Sequence, residues 1–130
     1  QAILVRNGNK YYIEFEITID SKSQDLKPVC FNKGDRVSFS LSNNNVLSLM
    51  QTEDKICGVK FENHNNGFVT VTNYIKVILT QKAFDSLSKH EILMMKITSK
   101  DYSKTIDLKN ELEEWNVFYS TFLKSLPLHY

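Results

Sequence analysis

The stretch Tyr11-Tyr12-Ile13-Glu14-Phe15-Glu16-Ile17-Thr18-Ile19-Asp20 alternates along its whole length: Tyr11, Ile13, Phe15, Ile17 and Ile19 are apolar and their even-numbered neighbours mostly polar. Successive side chains on a strand point to opposite faces, so this is a strand with one buried and one wet face. Similar alternation recurs as far as about Ile106, and there the period changes. Leu108, Leu112, Trp115, Tyr119, Phe122 and Leu126 follow at steps of four and three, the spacing of one face of an amphipathic helix. The expected fold is α+β and mainly β: an antiparallel sheet, sandwich-like or a partly open barrel, with one short helix and a C-terminal amphipathic helix packed on it.

Outward from Tyr11, Ala2 to Val5 reads as a short first strand that turns through Asn7-Gly8-Asn9. Polar Asp20 to Pro28 reads as a loop, Val29 to Phe31 as a strand, and Asn32-Lys33-Gly34-Asp35 as a turn. Arg36 to Met50 has the pattern of a hairpin, with Val37, Phe39 and Leu41 facing one way and Leu47 and Leu49 returning on one face. Ile56 to Phe61 follows as one strand, and Asn63-His64-Asn65-Asn66-Gly67 as a turn. Phe68 to Leu79 is strongly β-prone and its parity marks a central strand, but Asn73 falls among the apolar positions, which predicts a bend or bulge. Thr80 is placed to cap a helix through Ser88, with Leu79 and Phe84 at the positions of a hydrophobic staple. Ile92 to Thr98 and Tyr102 to Ile106 form a last hairpin. Asp107 then caps the final helix, Glu111, Glu113 and Glu114 suit its positive end, and Pro127 stops it. No linker or repeat interrupts the 130 residues, so a single domain over 1–130 is expected.

Charge excludes some functions. Sixteen basic and fifteen acidic residues leave a net charge of +1, with no basic stripe for a phosphate backbone and no polybasic segment for an anionic membrane surface. The longest apolar run, such as Ile92 to Met95, is far short of the roughly 20 residues that cross a bilayer. Neither nucleic acid nor a membrane span is expected. Gln1 in place of an initiator Met fits either removal of a signal peptide or a sequence that omits its first residues; removal is the expectation, since Gln1 leads almost directly into strand-like sequence. Cys30 and Cys57 fit either one disulfide in an oxidising compartment or two separate buried thiols.

Candidate chemistry is sparse. Cys57 and His64 would need mutual hydrogen-bond reach and a third group to orient the imidazole, and no nucleophile turn marks the sequence. A structural Cys57 and an exposed turn His64 are the simpler account. Cys30, Cys57, His64 and His90 lack the close ligand pairs of a zinc site. Glu14 and Glu16 lie on the wet face of a strand, Glu53-Asp54 lacks the pattern of a calcium loop, and no glycine-rich phosphate loop occurs. No catalytic residue, metal or cofactor is therefore assigned. Trp115, Phe118, Tyr119 and Phe122 concentrate aromatic surface within two turns; this is core packing, or in part a surface for a ligand or partner.

The stretch Phe31-Asn32-Lys33-Gly34-Asp35-Arg36-Val37-Ser38-Phe39-Ser40-Leu41, followed by Asn43-Asn44-Asn45-Val46-Leu47-Ser48-Leu49, resembles small exported proteins of Bacteroidetes bacteria. Leu79-Thr80, Phe84, Leu87, Lys89, Ile92 and Met95-Lys96-Ile97 extend the resemblance, which covers about Val29 to Leu108. The family's Asn-Gly type turn is here Asn44-Asn45. The resemblance implies export, periplasmic or extracellular, and a bacterial source; it carries over no functional residue. The leading expectation is a non-enzymatic exported domain that binds a protein or envelope component by an exposed sheet edge or loop, with Ala2 to Arg6 as the expected edge. The alternative is a module for a small apolar ligand or lipid, held between the sheet and the Trp115 helix.

Overall fold

The computed structural model of the protein describes residues 2–100 and 102–107. Along the chain run β1 (Ala2–Asn7), β2 (Lys10–Ser21), β3 (Cys30–Asn32), β4 (Arg36–Leu41), β5 (Val46–Met50), β6 (Lys55–Cys57), β7 (Val59–Glu62), β8 (Val69–Leu79), α1 (Gln81–Lys89), β9 (Ile92–Thr98) and β10 (Ser103–Asp107). The fold is mainly β, with antiparallel sheets and one helix among the described residues. One four-stranded sheet has the order β1-β2-β8-β7, a second has β10-β9-β4-β5, and β3 pairs with β6. They do not close into a barrel.

In β2, β4 and β8 the apolar side of the alternation is the buried one. Tyr11, Ile13, Phe15 and Ile17 of β2 are buried, and they lie opposite Leu79, Val77, Ile75 and Asn73 of β8. Val37, Phe39 and Leu41 of β4 and Ile97 of β9 are buried from the second sheet. The two sets form one hydrophobic core, and the Phe15 and Phe39 rings meet across it with centroids 6.2 Å apart. An isolated bridge between Gln51 and Val77 ties the end of β5 to β8. Thr80 caps α1 by accepting a 3.1 Å hydrogen bond from the Ala83 N–H, and Leu87 is buried beneath the helix.

Two local expectations are corrected. Ile56 to Phe61 is not one strand: the chain changes sheets at Gly58, so β6 pairs with β3 while β7 pairs with β8. A Cβ at Gly58 would run into Asn73 Oδ1 and the Thr72 carbonyl oxygen, and glycine is what permits this close approach. No bulge occurs at Asn73 either, since the β2–β8 register runs unbroken through Ile17↔Asn73. Asn73 stays on the core side because its Oδ1 accepts the Val29 N–H at 2.9 Å, which compensates the burial of its amide. The amphipathic helix expected from Leu108 to Leu126 lies outside the described residues.

Candidate functional site

Cys30 and Cys57 are opposite residues of the β3–β6 pair, with Cα atoms 4.0 Å apart, and they form a disulfide. Cys57 thus carries no thiol to pair with an imidazole. His64 lies in the turn between β7 and β8, and His90, after α1, is 3.3 Å from the Asn43 amide through Nε2. Among the described residues no three His, Cys, Asp or Glu side chains converge on a common point. No helix among them is long and apolar enough to cross a membrane. Trp115, Phe118, Tyr119 and Phe122 lie outside the described residues, as does any pocket they would help to form.

Beside the disulfide is an open cleft of about 300 Å³ whose lining includes Cys30, Asn32, Lys55, Lys100 and Tyr102. The Tyr102 ring meets Phe31 edge-on at 5.5 Å, and burial pushes its hydroxyl pKa above the ordinary 10.0. As the described residues line it, Lys55 and Lys100 included, this cleft does not form an apolar enclosure of the kind that holds a lipid.

Exposed apolar side chains among the described residues are spread over β1 (Ile3), β5 (Val46, Met50), β9 (Met94) and the β7–β8 region, where Val59, Phe61 and Phe68 lie near one another. All four residues of β7 are exposed, Val59 by 55% and Phe61 by 68%. Val59 pairs with Thr72 and Phe61 with Thr70, whereas Val69 and Val71 between them face the core. Val59 and Phe61 therefore share the outer face of the sheet. Phe68, 36% exposed, is two residues from Thr70 and on the same face, with Lys22 Nζ 5.5 Å from its ring centroid. On the opposite face, Lys60 donates to the Gln24 carbonyl at 2.9 Å and approaches Glu62 at 3.5 Å. The segment around Gln24 thus runs along the inner side of β7, and among the described residues Val59 and Phe61 on its outer face stay exposed. β7 is last in its sheet, and no described strand pairs with its far edge.

β1 is the sheet's other edge, as expected of a short terminal strand, and β8 is central, as its parity predicts. β1 is the more protected edge, because Ala2 and Leu4 pack against the core. The patch at β7 is not legible in the sequence. Val59-Lys60-Phe61-Glu62 alternates like any half-buried strand, and only the register against β8 turns its apolar side outward. Comparison of the chain with protein-family models, with curated proteins and with solved structures finds no match.

Proposed function

We propose that this protein is a non-enzymatic recognition domain that binds an extended protein segment by strand addition at β7. The observation that carries this reading is a terminal strand with all four residues exposed and two apolar side chains, Val59 and Phe61, together on its open face. An edge strand offers unpaired N–H and C=O groups to an incoming strand, and alternate side chains supply specificity. Exported location, periplasmic or extracellular, belongs to the same proposal; its support is the Cys30–Cys57 disulfide, a bond that persists in oxidising compartments. The stripe from Leu108 to Leu126 belongs to it too, as a helix laid on the sheet through Leu112, Trp115, Tyr119 and Phe122. Trp115 is the sole tryptophan, so blue-shifted emission that moves red on unfolding is the expected result, and emission typical of water in the native protein argues against it.

The test of recognition is selection of a random displayed peptide library against the full-length protein. The expected result is peptides of extended, alternating apolar character whose binding shifts the amide resonances of residues 59–62 and falls about tenfold or more in Phe61→Asp. Selected peptides that leave residues 59–62 unperturbed would refute the reading.

A further inference from the structure

The geometry points to a second copy of this chain as the partner of β7, added antiparallel about a two-fold axis at Phe61. The inference rests on the strand-addition reading and deepens it by naming the partner. Strand addition between identical edges is isologous, so each residue of β7 meets a fixed mate and the register can be argued from charge. With the axis perpendicular to the sheet, opposed side chains share a face, and the axis must therefore pass at a residue rather than between two. Centred on Lys60, the pairing sets Lys60 against its own copy. Centred on Glu62, it sets Glu62 against its own copy. Like charges directly opposite one another on neighbouring strands are unfavourable. Centred on Val59, the pairing sets Phe61 against the second copy's Cys57, which has already left this sheet for the β3–β6 pair.

Centred on Phe61, the pairing sets Lys60 against the second copy's Glu62, and Glu62 against the second copy's Lys60. The four charges then alternate in sign on one face. On the other face Phe61 lies against its own copy, with Val59 and Phe68 of both chains beside them. The exposed apolar side chains gain aromatic and aliphatic neighbours, and two β7 edges, unpaired among the described residues, join their four-stranded sheets. A contact built on four residues per chain lies at the small end of specific interfaces, so the association is weak and concentration-dependent.

Sedimentation of the full-length protein from about 10 µM to about 1 mM tests this, a range suited to a small interface. A monomer–dimer equilibrium is expected. Lys60→Glu alone, and Glu62→Lys alone, should each weaken it by about tenfold or more, because each creates two like-charge pairs. Their combination restores opposite pairing and should return the constant to within about threefold of the native value. Melting temperature for each variant separates loss of folding from loss of association. A monomer throughout the range overturns the self-pairing, as does a dimer indifferent to the single reversals, or a double reversal that fails to restore it. If the protein is monomeric while selected peptides still perturb residues 59–62, self-pairing falls and strand addition stands. If Phe61→Asp alters neither dimerisation nor peptide binding, both fall.

Discussion

Asn73 and Gly58 show how much of this fold hangs on single atoms. Asn73 sits among the apolar positions of β8, yet it is nearly fully buried because its side-chain oxygen holds the Val29 N–H. Asn73→Ala leaves that N–H without its acceptor, and a loss of about 1–3 kcal/mol in urea unfolding is expected. Gly58→Ala presses a methyl group against the same oxygen and the Thr72 backbone, at an expected cost of about 1–3 kcal/mol. Because both changes act on one contact, the double variant should lose less than the sum of the two. Gln51 has a comparable role at the end of β5. Fully buried, it donates to the Phe31 carbonyl at 2.8 Å and the Glu53 carbonyl at 3.1 Å, and so joins β3 to the loop before β6. Tyr102 adds a pH dependence. Its hydroxyl pKa is raised by burial, so the folded state holds the proton more tightly than the unfolded one. Its contribution is fully present below the unfolded value of 10.0 and is lost as pH rises through the folded pKa. Tyr102→Phe should flatten that alkaline loss in unfolding measured against pH; an unchanged slope would show that another group dominates there.

At the scale of elements, local rules account for α1 and for the hairpins. Thr80 caps the helix with a side-chain oxygen on the Ala83 N–H, and Leu79 and Phe84 stand at the staple positions that fix the chain's entry. Thr80→Ala is expected to lower stability by about 1 kcal/mol. Asn44, with φ 66°, and Gly34, with φ 94°, sit in turns where their residue types tolerate left-handed backbone. The β3–β6 pair is different. Its strands are three residues each and are held by the disulfide between Cys30 and Cys57, separated by 27 positions. Closing a loop of that length restricts the unfolded chain, so replacing both cysteines with serine should cost about 3–4 kcal/mol. Intact mass after alkylation without reductant checks the bond itself: a native protein that takes up two alkyl groups would show free thiols.

At the scale of the molecule, the inner faces of both four-stranded sheets feed one core, and Phe15 and Phe39 are the clearest link between them. Phe39→Ala should cost about 3–5 kcal/mol and destabilise the two sheets together. Amide probes on β2 and on β9 should then show coincident unfolding transitions; separate midpoints would mean that the sheets are energetically independent. The patch at β7 belongs to this scale as well, since it exists only through the pairing of β7 with β8. The sequence by itself determined every strand whose alternation is long, because period-two patterning is a property of the strand alone: β2, β4 and β8 could be placed from their own residues. It also determined α1, whose cap and staple lie within five residues of one another. Tertiary structure decided the rest. Alternation names two faces but not which of them meets the core, so the outward turn of Phe61 follows from its register against Thr70. Spacing along the chain does not measure distance in space, so Cys30 and Cys57 become partners only when β3 and β6 align. A polar residue at a core parity looks like a defect until its acceptor finds a donor 44 positions away, as Asn73 finds Val29.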